Sequence, residues 1–167
     1  FLNAYMTNES VEVLTADGTY NTSGDVIDVT TTLVHFPLYL ANAFVPDQLV
    51  ELMGDIDGDL AITGTPGTPA VNGELMLDSV MVTSWQYGFD FRFDNRPLQV
   101  QNSRLTFDKF AIYSTSENPF TVDGYVDVAN ISSPMVNLAL QANNYQLLNA
   151  KRKNDSMLYG RVFLDLN

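Results

Sequence analysis

The chain has 167 residues, 46% of them apolar, enough for one domain with a sizeable core and too many for a disordered segment. Its 20 acidic and 8 basic residues leave a net charge of -12, which argues against a phosphate-binding surface and against a basic patch for anionic headgroups. The plain role of the charge is solubility.

Cysteine is absent, so disulfides, thiolate metal sites and cysteine nucleophiles are excluded. No run approaches the roughly 20 apolar residues that span a bilayer. The opening, FLNAYMTNES, has no initiator methionine in first place and no basic leader. It reads as a piece of a longer chain whose signal or anchor lies elsewhere.

Residues 1–10 read as the continuation of a strand. Val11 and Val13 alternate with Glu12 and Leu14, predicting a short strand over 11–15 that turns at Asp17-Gly18. A second break falls at Thr22-Ser23-Gly24. Residues 25–40 are rich in β-branched side chains, with Ile27, Val29, Thr31, Leu33 and His35 on one parity. They form a strand that ends or bulges at Pro37. In 41–53, Pro46 with Asp47 and Glu51 predicts a helix of about two turns over 45–53.

Three strands then each offer one apolar face. Ile56, Leu60 and Ile62 alternate with Asp55, Asp57 and Asp59. After the break at 64–69, Val71, Gly73, Leu75 and Leu77 follow. Trp85, Tyr87, Phe89, Phe91 and Phe93 then share a parity against Gln86, Asp90, Arg92 and Asp94. Trp85 and Tyr87 read as core rather than ligand contacts. Val80 and Val82 fall on the wrong parity, and a bulge near Asp78-Ser79 would return them to the same face. Asn95-Arg96-Pro97 reads as a turn, followed by Leu98 and Val100, and Asn102-Ser103 as another. Over 104–115, Leu105 and Phe107 oppose Phe110 and Ile112 in parity, which places a second bulge near Asp108-Lys109.

Phe120, Val122, Gly124, Val126 and Val128 form a regular strand. Ser132-Ser133-Pro134 separates it from Val136, Leu138 and Leu140. Residues 143–149 carry a weak helical signal, 149–156 a solvated polar loop, and 157–166 the last strand. Two segments share a cadence: Gly54–Leu77 and Asp123–Leu140 each run through Asp-Gly, an alternating strand, a proline break and a second strand. This predicts stacked hairpin units. The fold class is all-β: an elongated, curled, mostly antiparallel meandering sheet with at most one short helix. The whole of 1–167 reads as a single β-rich unit, divisible at most into 1–53 and 54–167.

Chemistry is sparse. His35 is the sole histidine and reads as structural. Asp55, Asp57 and Asp59 lie two apart on a strand, which is not the tight turn with a closing glutamate that a calcium loop needs. No nucleophile–base–acid order can be placed and no carboxylate pair is singled out. The expectation is a non-enzymatic chain with no metal and no cofactor. The acidic row Asp55, Asp57, Asp59, Asp90, Asp123 and Asp127, with Arg92, is expected on the outer face, where it would limit edge stacking.

GDIDGDLAITG from Gly54, PAVNGEL from Pro69, NSRLTF from Asn102, FTVDG from Phe120, NYQLLN from Asn144, YGRVFLD from Tyr159 and FPLYL from Phe36 together cover most of the chain. In this order and spacing they resemble the C-terminal region of the TamB family, within the AsmA-like group, in its Bacteroidetes-type form. The resemblance implies a long curled sheet, or taco, with an apolar inner groove. It also implies a periplasmic segment of a protein anchored in the inner membrane. That protein would reach an Omp85-type outer-membrane partner such as TamA, and serve outer-membrane protein assembly or phospholipid transport. Nucleic acid is not an expected partner. Acyl chains would lie against Ile56, Leu60, Ile62, Leu75, Leu77, Phe89, Phe91, Phe93, Val122, Val126 and Val128. The alternative is a structural or adhesion-like β-domain, its apolar face closed into a core. A second copy meeting the first by face or edge is a further way of covering that face.

Overall fold

The computed structural model describes residues 1–44, 50–84, 86–130, 132–152 and 159–166. The strands are β1 Leu2–Asn8, β2 Val11–Asn21, β3 Val26–Pro37, β4 Glu51–Thr65, β5 Thr68–Ser84, β6 Phe89–Phe93, β7 Leu98–Gln101, β8 Arg104–Tyr113, β9 Phe120–Asp127, β10 Met135–Ala150 and β11 Gly160–Leu166. All belong to one antiparallel sheet, in which strands consecutive in sequence pair in space except for β6 and β7. β6 and β7 share one lane between β5 and β8, running in the same direction. The break at Asn95-Arg96-Pro97 therefore interrupts the lane without reversing it.

Two tight connections have the backbone that a right-twisted hairpin requires. Glu9-Ser10 and Asn102-Ser103 each place both central residues at positive φ, the handedness that matches strand twist. Ser103 does more. Its buried hydroxyl donates to the Pro69 carbonyl at 2.7 Å and accepts from the Val71 N–H at 3.0 Å. Its backbone N–H donates to the Val71 carbonyl at 2.8 Å, and its carbonyl accepts from the Val128 N–H at 2.9 Å. One turn thus ties the start of β5 to the exit of β9.

The sheet is not flat. β3, β5, β8 and β10 each carry one residue more than the partner stretch they oppose: 33–36 against 56–58, 78–81 against 53–55, 107–110 against 122–124, and 142–145 against 164–166. β10 gains a second extra residue at 146–148 against 162–163, and β2 carries one at 12–14 against 6–7. β3, β5, β8 and β10 run the same way. A bulge bends its strand and sharpens the local twist. The bulges in β3, β5 and β8 align with the β6–β7 interruption to form a crease running across the strands. At the interruption Arg96 fills the gap in the ladder: Nε donates to Asp94 Oδ2 at 2.6 Å, and the guanidinium caps the carbonyls of Asp108 and Lys109. The most tightly packed apolar side chains, Leu98, Phe110 and Val122, sit beside this line, with Leu75, Leu77, Phe93 and Phe107 against them. The curl brings β6 against β10, although β8 and β9 lie between them. A Cβ on Gly88, just before β6, would overlap that of Ala150.

Four expectations are corrected. Asp17-Gly18 is not a turn. β2 runs straight through it, because pairing with β1 on one side and β3 on the other satisfies the backbone that a turn would release. The helix predicted over 45–53 falls partly outside the described residues, at 45–49. Its remainder belongs to β4, which begins at Glu51. The one helical segment is a 3-10 helix at Leu38–Phe44, and Asn42 pins β4 from there, accepting from the Leu52 N–H at 2.8 Å and donating to its carbonyl at 3.1 Å. Of the aromatic run 85–94, Trp85 lies outside the described residues and strand begins only at Phe89, since the Gly88 N–H closes back on the Ser84 carbonyl at 2.7 Å. Residues 143–149 are strand rather than helix, because β9 and β11 pair β10 along its length. Of the polar loop 149–156, residues 153–156 lie outside the described residues, as do 157–158 at the start of the predicted last strand.

The Ser103 arrangement yields a measurable expectation. Ser103→Ala leaves the Val71 N–H and the Pro69 carbonyl without their partner and should cost about 1–3 kcal/mol. In urea titration this should appear as a lower midpoint with an unchanged slope.

Candidate functional site

Side chains opposite one another in an antiparallel pair lie on the same face, so the register assigns every strand residue to a side. Ile56 pairs with Leu77 and Phe36, Leu60 with Gly73 and Thr31, and Ile62 with Val71 and Val29. Leu75 pairs with Leu98, and Val100 with Leu105. Leu105 pairs in turn with Val126, and Val126 with Val136. Val122 lies between Phe110 and Leu140. The bulge at Ser79, whose φ is 53°, returns Val80 and Val82 to this side. Val82 then pairs with Phe91, Ser84 with Phe89, and Phe93 with Ile112.

All the sequence-predicted lining residues except Val128 therefore share one face. Val128 lies past the end of β9, exposed, with its N–H on the Ser103 carbonyl. The same face continues outward through Leu33, Leu14 and Met6 on one flank and through Ala142, Tyr145 and Leu164 on the other. Followed from β1 to β11 among the described residues, it carries no Asp, Glu, Lys or Arg. Its polar members are few, among them Tyr20, Thr31, Ser84 and Tyr145.

The predicted list missed Leu98, Leu105, Phe107, Phe110 and Ile112. Their signal was present: a parity reversal across Asp108-Lys109, which the bulge there cancels. It also missed Phe36, which the bulge at Val34-His35 turns inward although His35 continues the parity of Leu33.

Among the described residues no second layer of strands packs on this face. The elements that leave the plane among the described residues are the 3-10 helix against β4 and the curl that brings β6 to β10. Along the inner side of β10, exposure falls from 63% at Val136 and 42% at Leu140 to 5% at Ala142 and 2% at Tyr145. The trough is thus open toward the start of β10 and roofed toward its end. Burial there pushes the Tyr145 hydroxyl above its ordinary pKa, because the phenolate would lose its hydration. Phe120 packs on the Tyr145 ring with centroids 5.7 Å apart. Along β6, Phe89 and Phe91 stack at 4.6 Å.

The opposite face is polar. Asp55, Asp57, Asp59, Asp90, Arg92, Asp123 and Asp127 all project there by register. Arg104 bonds Asp127 at 3.1 Å and lies over the Tyr125 ring at 4.1 Å. The Ala129 N–H, and then Arg104, hold the Asp127 carboxyl below its ordinary pKa. An apolar cleft of about 500 Å³ opens between Val11, Val34, Tyr39 and Met53. No group of three or more His, Cys, Asp or Glu able to hold a metal ion occurs among the described residues. No helix among them is long and apolar enough to cross a membrane.

Comparison with family models, with curated proteins and with solved structures finds no match. What the geometry defines is an architectural class. It is an elongated, curled, antiparallel meander with one apolar face, consistent with the β-taco of AsmA-like proteins.

Adjacent positions on β5 test the two-sided assignment. Leu75→Ala should cost about 1–3 kcal/mol, less than a fully buried leucine because the site is half-buried. Met76→Ala, on the outer side, should stay within about 0.5 kcal/mol. Equal losses at both positions in denaturant titration would contradict the assignment.

Proposed function

We propose that the chain is a non-enzymatic segment of an envelope conduit, whose apolar trough carries the acyl chains of phospholipids. The observation that supports this reading is the uncharged inner face, which runs the width of the sheet with no second layer on it among the described residues. An apolar face of that extent must be covered or must bind something apolar. Each methylene moved there from water contributes about 0.8 kcal/mol. A long acyl chain is therefore held without a specific contact, and it can slide. The ladders satisfy the backbone, so the trough needs no polar group of its own. Headgroups would stay in water at the open side.

The TamB resemblance extends the proposal. The full protein would be anchored in the inner membrane, cross the periplasm and meet a TamA-like Omp85 partner, in phospholipid transport or in outer-membrane protein assembly. A second reading draws on the packing at the crease, where Leu98, Phe110 and Val122 are buried by the chain itself. There the face behaves as the core of a structural β-domain, and function would pass through loops and edges.

Native mass spectrometry after gentle purification, with displacement of cis-parinaric acid, tests the conduit. Val136→Asp and Leu140→Asp place charge on exposed inner positions that the fold tolerates. Each should weaken probe binding about tenfold, since a carboxylate beside an acyl chain loses hydration it does not recover. Asn137→Asp, one residue away on the outer side, should leave binding unchanged. A chain that retains no lipid and takes up no probe overturns the reading.

A further inference from the structure

Three of the six bulges share one construction. In β3, His35 has φ 46° and its N–H donates to Asp57 Oδ1 at 2.8 Å. In β8, Lys109 has φ 45° and donates to Asp123 Oδ1 at 2.9 Å. In β10, Asn144 has φ 47° and donates to Asp165 Oδ1 at 2.6 Å. Each of these residues is followed by an aromatic one, namely Phe36, Phe110 or Tyr145. Each aromatic pairs with the aliphatic residue just before the aspartate: Ile56, Val122 or Leu164.

The chemistry of each unit is the same. A residue with a side chain is disfavoured at positive φ. The bulge also frees an N–H that the ladder no longer uses. The carboxylate of the next strand accepts that N–H in a charge-assisted bond. It clips the bulge from the outer face while the following aromatic swings onto the inner face. A bulge that slipped by one residue would send that aromatic outward.

We infer that Asp57, Asp123 and Asp165 are positioning residues of the trough: their clips fix where the strands bend and hold Phe36, Phe110 and Tyr145 on its inner face. They touch no cargo. They set the width and depth of the trough, and so which hydrocarbon chains it holds best. This inference rests on the acyl-binding reading, and its test separates the two.

The full chain is prepared as Asp57→Ala and Asp123→Ala, with Asp57→Asn and Asp123→Asn as the conservative pair. An amide oxygen can still accept the clip bond. Ser103→Ala serves as a control that weakens the fold away from any clip. Amide hydrogen exchange is read at His35 and Lys109, and displacement of cis-parinaric acid is measured with saturated fatty acids of increasing length. Each alanine variant should speed exchange at its own bulge amide about tenfold. It should also change relative affinities along the fatty-acid series about threefold, close to the effect of one methylene of altered contact. The asparagine variants should restore both, and Ser103→Ala should leave the affinity ratios unchanged. Wild-type protein that binds no probe overturns the acyl-binding reading and this one with it. Binding with unaltered ratios in the alanine variants overturns this inference alone.

Discussion

A single sheet with one uncharged face and no second layer has two ways to keep that face from water. It can bend until its own side chains shelter one another, or it can hold an apolar guest. This chain does the first in part. Bending brings Leu98, Phe110 and Val122 together at the crease and carries β6 onto β10. It leaves Val136 and Leu140 open farther along. Stability and binding therefore draw on the same surface. Where the strands bend most, the protein serves as its own ligand, and where they bend least there is room for another molecule.

The hydrophobic effect has no direction and cannot by itself say where a sheet should fold over. Direction comes from polar groups on the other side. Asp57, Asp123 and Asp165 each take a backbone N–H, Arg96 takes the carbonyls of Asp108 and Lys109, and Ser103 gathers the end of a hairpin. Acidic residues that composition alone would assign to solubility turn out to include the sheet's fasteners. The net charge still serves the purpose expected of it. The two roles coexist because a clipping carboxylate keeps one side toward water.

The alternation of apolar and polar residues exposed most of this in the sequence. The bulges at Asp78-Ser79 and Asp108-Lys109 were legible because apolar residues changed parity across them, and only an extra residue reconciles the two halves. The repeated Asp-Gly cadence was legible too. In the structure Gly58 and Gly124 lie opposite the inward Leu75 and Leu138, each just after a clipping aspartate. The bulge at Val34-His35 was hidden because His35 happened to continue the parity of Leu33, so Phe36 appeared to point outward. The Asp17-Gly18 signal failed for the converse reason. Local turn preference is small beside the ladders that strands on both sides offer β2. The aspartates' role as clips was not legible at all, since it depends on which strand lies alongside.

The extra residues on β3, β5, β8 and β10 have a consequence for how such a sheet can change. Each long strand is matched to a shorter neighbour, so removing its extra residue would put every side chain beyond that point on the wrong side of the sheet. Single deletions within these strands are therefore unforgiving. β4 is the short partner of both β3 and β5, whereas β9 and β11 each serve one long strand, so matched strands can be gained or lost only together. A sheet built this way changes length by whole sets of matched strands, and its curvature changes with each set.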